Sequence, residues 1–167
     1  MRAAFWISFA GAAGVYLIMV LWSLPFVSDA AGGLAPFDMR PLGYSGEQAR
    51  AFLAALSDEG RVFYIDVQHK LDILYPALLG LALVLGFQLL FPRPWAMVFS
   101  VIALVGVAAD YLENYLVTVM LTSDAPVADK LVSLASFWTV SKSLSATISF
   151  LVLLLGFGWM VLRRWGR

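Results

Sequence analysis

The chain has no cysteine, which excludes disulfides, thiol redox chemistry and Cys-ligated metals together. It is also poor in charge. Asp, Glu, Lys and Arg make up 13% of its 167 residues and the two signs cancel, where soluble domains carry about 25%. No basic surplus points to nucleic acid, and none is expected as a partner. A single histidine leaves no His pair for a metal. Neither an HExxH motif, an EF-hand loop, a Gly-rich phosphate loop nor a nucleophile elbow occurs. Asp72, Asp110, Glu113 and His69 are competent donors but stand at no recognised metal spacing, so no metal and no cofactor are expected. There is no internal repeat.

What the chain has in quantity is apolar sequence, 62% of the whole. Four runs are long enough to cross the roughly 30 Å of hydrocarbon that about 20 helical residues span: 3–27, 67–91, 95–121 and 131–162. The first is longer than the roughly 7–15 apolar residues of a signal peptide and reads as a span. Pro92 and Pro94, in the "FPRP" between the second and third runs, stop one helix and start the next with almost no loop, giving an antiparallel hairpin. The expected fold is all-α: one domain, a four-helix transmembrane bundle. Arg2, Arg93, Arg163, Arg164 and Arg167 flank one side without an acid. Asp29, Asp38, Glu47, Asp58, Glu59, Asp66, Asp124 and Asp129 lie on the other, with Arg40, Arg50, Arg61, Lys70 and Lys130. The basic-flank rule then puts both termini in the cytoplasm, and the compact, Ala- and Leu-rich chain is read as a protein of the bacterial inner membrane. Residues 28–66 form an outer loop. Within it Ser45 and Gln48 have capping-box spacing, and Ala49, Phe52, Leu53 and Leu56 make one apolar stripe. A short amphipathic helix is expected at about 46–59, with Gly60 as its stop. It would rest on the leaflet or lid the bundle.

The spans carry ionisable residues, each costing at least about 2.5–3.5 kcal/mol at a bilayer centre unless it faces protein or water. Gln68, His69, Asp72 and Tyr75 share one side of the second span, and Asp110, Glu113 and Asn114 share one side of the third. Lys142 stands with Trp138, Thr139, Ser145 and Ser149 on the fourth. At about 1.5 Å per residue, Asp72 lies roughly 8 Å below the outer end of its span, Glu113 roughly 12 Å, and Asp110 and Lys142 roughly 15 Å. The inner halves are nearly all apolar, apart from Ser8, Gln88 and Ser100. The polar cluster should therefore face outward, and a continuous channel is disfavoured. Asp72, Asp110 and Glu113 outnumber Lys142, so compensation must come from protonation, from His69 or from a bound cation. His69, at the rim, reads on its own as a solvated flank residue. Lys70, Arg61 and Asp66 read as interfacial charges.

These faces predict a pocket in the outer half of the bundle that binds or acts on a membrane lipid or another amphiphile by carboxyl acid/base chemistry. Asp72, Asp110, Glu113 and Lys142 are the candidate catalytic groups. His69, Tyr75, Asn114, Trp138 and Thr139 are the candidate ligand contacts. The alternative is an accessory subunit, in a homo-oligomer or a larger membrane complex, whose polar network only holds helices together. The sequence leaves open whether the protein is an enzyme. Pro76 adds one local expectation: having no amide hydrogen, it frees the carbonyl of Asp72, and neighbouring helices must satisfy that group.

Overall fold

A computed structural model describes residues 1–123 and 125–165. Asp124 and Arg167, both part of the charge asymmetry above, lie outside the described residues, as does the side chain of Arg164. No strand occurs among the described residues. The helices are α1 (Arg2–Ala30), α2 (Gly46–Ala55), α3 (Asp58–Leu90), α4 (Arg93–Leu121) and α5 (Asp129–Trp165). All except α2 are long and apolar enough to cross a membrane. Side chains such as Leu21 and Leu155 stand more than 70% exposed on them, an arrangement that water would penalise and lipid would not. The chain reads as a multi-pass membrane protein.

Both chain ends sit at the same end of the bundle, where the rings of Phe5 and Phe157 come within 6.0 Å over a core of Leu83, Phe87, Ala96, Ala103 and Leu153. The opposite end is closed by the 31–57 segment, and this is the capped end. Gly43, at φ +85, turns the chain back after Arg40, and the Tyr44 amide then donates to Ser136 Oγ at 2.8 Å. At Ser45 the capping box closes in both directions, Gln48 N–H to Ser45 Oγ at 3.2 Å and Ser45 N–H to Gln48 Oε1 at 2.9 Å. Helix α2 then buries Ala49, Phe52 and Leu53 against Phe37, Tyr64, Leu116, Met120 and Val132. The amphipathic stripe thus covers the ends of α3, α4 and α5.

The chain around Gly60 differs from expectation. Helix α2 ends at Ala55, Leu56 is extended, and Ser57 caps a new helix by accepting from the Gly60 amide at 3.1 Å. Gly60 is therefore in the first turn of α3 rather than a stop, and α3 begins at Asp58 instead of 67. The reason is contact with α1: a Cβ on Gly60 would lie 2.5 Å from that of Ala30, and the Ser57 amide donates to Ala30 O at 3.0 Å. Arg61, read from sequence as an interfacial charge, also has fixed partners. Its guanidinium donates to Leu53 O at 3.2 Å and to Leu121 O, tying α2 and the end of α4 to α3.

Two π-helical turns interrupt the α-helical pattern of the spans. One, Met19–Ser23 in α1, precedes Pro25, whose missing amide leaves Leu21 O without its usual donor. The other is Tyr64–Gln68 in α3. They meet where Ser23 Oγ donates to Gln68 Oε1 at 2.6 Å, both residues fully buried. Helix α1 packs against α3, and α5 packs against α4 and α3. Helices α1 and α5 meet at the Phe5–Phe157 end and leave a gap along the middle of the bundle.

Candidate functional site

Between the capped core and the apolar core lies a polar layer centred on Lys142. Its Nζ is 3.3 Å from Asp110 Oδ1, 3.6 Å from Asp38 Oδ1, and in direct ion-pair contact with Glu113 Oε2. Glu113 is fully buried, and its second oxygen accepts from Thr139 Oγ at 2.6 Å. The one-turn spacing of Asp110 and Glu113 on α4 aims both carboxylates at α5, where Thr139 and Lys142 occupy adjacent positions of one face.

Asp38 is the member that sequence reasoning missed. It lies outside the spans, on a single 3-10 turn, Phe37–Met39. Phe37, fully buried between Tyr44 and Phe52, anchors that turn under the cap, and the Tyr64 hydroxyl donates to Asp38 Oδ2 at 2.6 Å. The only sequence signal was a bulky apolar residue beside an acid in a Gly/Pro-rich loop, the pattern of a loop pinned inward. Tyr44, in the same loop, packs on Phe37 with ring centroids 4.7 Å apart. Burial, reinforced by the nearby Glu113 and Asp38 carboxylates, holds its phenol well above the ordinary tyrosine range, so it stays neutral.

Asp72 sits apart from the ammonium. Among the described residues no Lys, Arg or His nitrogen lies within ion-pair distance of its carboxylate. Its Oδ2 accepts from Gln68 Nε2 at 2.9 Å, and Gln68 is held in turn by Ser23. The backbone around Pro76 is served from α4: Asn114 Nδ2 lies 3.4 Å from Asp72 O, and the Tyr111 hydroxyl donates to Ile73 O at 3.0 Å. Asn114 Nδ2 also reaches Asp110 Oδ1 at 3.4 Å. One amide thus links the carbonyl freed by the proline to the ion cluster.

His69 is buried, 7% exposed, not a solvated flank. Because α3 starts at Asp58, His69 lies about three turns inside it, packed on Tyr64 at 5.0 Å between ring centroids. Its tautomer follows from its neighbour. Thr118 has one hydroxyl proton and lies 2.8 Å from Asn114 O, which can only accept, and 2.9 Å from His69 Nδ1. Thr118 therefore donates to the carbonyl and accepts from Nδ1–H. His69 Nε2 and Asn114 Oδ1 are left without partners. Trp138 packs against the capped core and does not line the site.

A cavity of about 180 Å³ opens beside this cluster. Its polar end is formed by Asp38, Asp72, Asp110, Lys142 and Ser143, and its walls by Leu79, Leu83, Ala103, Val107 and Ala146, with Ser149 among them. Tyr16 and Tyr75, ring centroids 5.7 Å apart, close one side. The structure thus brings Asp72, Tyr75, Asp110 and Lys142 to one cavity, with Glu113, Thr139 and Asn114 directly behind. His69 stands on the far side of Asn114, and Trp138 is separate. No group of three His, Asp or Glu residues among the described residues converges as metal ligands do; the acids surround an ammonium instead. The chain matches no family model, no curated protein and no solved structure.

Proposed function

We propose that this protein binds an amphiphilic, lipid-derived molecule inside the membrane, its polar head at Asp72, Asp110 and Lys142 and its apolar part along the α3–α4–α5 wall. The observation that carries this reading is the cavity itself, with carboxylates and an ammonium at one end and aliphatic walls elsewhere, the division an amphiphile shows. The carboxyls are held differently. Asp110 and Glu113 are each engaged by the Lys142 ammonium. Asp72 faces a neutral amide, so it is the group free to exchange a proton with a bound head, acting as general acid or base.

A second reading rests on the Lys142 clamp. The clamp joins α4, α5 and the Asp38 turn, as a purely structural network would, and would serve an accessory subunit of a homo-oligomer or larger complex equally well. The two readings separate at Asp72, which belongs to no ion pair. Asp72→Asn preserves shape and the Gln68 contact, so the binding reading predicts an unchanged melting temperature with loss of co-purifying amphiphile, read by native mass spectrometry of gently solubilised protein. Retention of the same bound molecules by Asp72→Asn would sink that reading.

The orientation we propose has the termini in the cytoplasm and the capped end outside, in a bacterial inner membrane. Arg2, Arg93 and Arg163 at the terminal end support the orientation by the basic-flank rule. The compact, Ala- and Leu-rich chain supports the membrane assignment.

A further inference from the structure

We infer that the ligand is a single-chain amphiphile with a cationic amine head, and that it reaches the cavity sideways from the bilayer, between α1 and α5 past Tyr16 and Tyr75. This rests on the amphiphile reading above and deepens it.

Size and continuity argue for the lateral route. The cavity, about 180 Å³, is smaller than the roughly 300–1,000 Å³ that encloses a whole drug-sized ligand. It therefore takes the head and the first part of a chain. The remainder has a place: a second hollow of about 340 Å³ shares Tyr16, Tyr75 and Leu79 with the cavity. Phe9, Ala12, Ala13 and Phe150 complete this hollow. It lies where α1 and α5 stand apart, and Tyr16, 48% exposed, faces outward there. The tilted Tyr16–Tyr75 pair is the partition between the two spaces, and a shift of two rings joins them. One hollow continues from the cavity, which gives a place to one chain.

Charge argues for the amine. Four carboxyl groups, those of Asp38, Asp72, Asp110 and Glu113, meet one ammonium, and Lys142 is already engaged by three of them. An anionic head would face this surplus of oxygen. An alkylammonium supplies the missing positive charge and N–H donors, and Asp72, with no cationic partner of its own, is where it docks. Ser149 differs from its neighbours on α5. Ser141, Ser143 and Thr147 on the same helix each donate back to the carbonyl four residues earlier at 2.8 Å. The Ser149 hydroxyl, in a residue 1% exposed beside the cavity wall, has no partner.

The test uses the full chain in a nonionic detergent, titrated with tetradecylamine, tetradecanol or tetradecyl sulfate and read by native mass spectrometry. Melting temperatures are measured in parallel. The amine is expected to bind at least about tenfold more tightly than the alcohol, the worth of one charge-assisted hydrogen bond, and the sulfate more weakly still. Asp72→Asn should remove that amine preference. Ala13→Trp, at a lipid-facing position of the second hollow, should weaken amine binding about tenfold by filling the chain's path, with no change in melting temperature. Alcohol or sulfate binding as tightly as the amine would overturn the cationic head while leaving an amphiphile site in place. Amine binding unaffected by Ala13→Trp would overturn the lateral route. If none of the three binds, both this inference and the amphiphile reading fall.

Discussion

Asp72 and Lys142 occupy one cavity, yet their substitutions should behave oppositely. Removing a partner from a buried ion network leaves uncompensated charge, at about 3–5 kcal/mol. Lys142 answers Asp38, Asp110 and Glu113 together, so Lys142→Met is expected to lower the melting temperature sharply and reduce the folded yield, whatever the ligand does. Asp72→Asn removes no ion pair and should leave stability near that of the unmodified chain. Thermal unfolding of the two variants in the same detergent checks the contrast. Equal destabilisation would mean that Asp72 is part of the scaffold. Asp38→Asn belongs between them: it loosens one Lys142 contact and weakens the acceptor of the Tyr64 hydroxyl, while Asp110 and Glu113 still hold the ammonium.

Among elements, α2 has the task of closing the capped end, and its stability hangs on few interactions. Its capping box satisfies amides at the first turn, and loss of such a cap costs about 1 kcal/mol. Ser45→Ala should therefore speed amide exchange across 46–55 while exchange in the four long helices stays as it was, measured by hydrogen–deuterium exchange. Uniform protection throughout would show that the buried Phe52 and Leu53 alone hold α2 in place. The four spans were legible in the sequence because an apolar run of that length has few other uses, and α2 because Ser45 and Gln48 stand at a spacing with one local meaning. The start of α3 was not legible. Asp58 and Glu59 read as the end of the amphipathic helix, Gly60 as its stop, and Arg61 and Asp66 as interfacial charges; only the approach of Ala30 and the carbonyls awaiting Arg61 show them to begin α3. The site divides along the same line. Asp110, Glu113, Thr139 and Lys142 were legible from helical periodicity on neighbouring spans. Asp38 was hidden, because what brings it inward is the burial of Phe37 under a helix that comes later in the chain. His69 was misjudged for the same reason as α3.

For the whole molecule, the consequence of the α3 extension is that the polar layer lies deeper than the spans alone imply. Asp72 is about 21 Å along α3 from its first residue at 1.5 Å per residue, and the capped core of Phe37, Phe52, Tyr64 and Met120 stands above it. That core stands between Asp72 and the capped end, in keeping with the route between α1 and α5 inferred above. Which aqueous phase the cap faces decides where the site lies in the bilayer, and the absence of cysteine makes this measurable without background labelling. Ala54→Cys places a thiol on the exposed side of α2 at the capped end, and Ala3→Cys places one at the terminal end. With the termini in the cytoplasm, a membrane-impermeant maleimide added to intact cells should label Ala54→Cys and spare Ala3→Cys until the membrane is permeabilised. The opposite pattern would invert the protein and put the acid layer in the inner leaflet. An amine-headed guest would then be drawn from the cytoplasmic side, and the arginine-rich terminal end would violate the basic-flank rule.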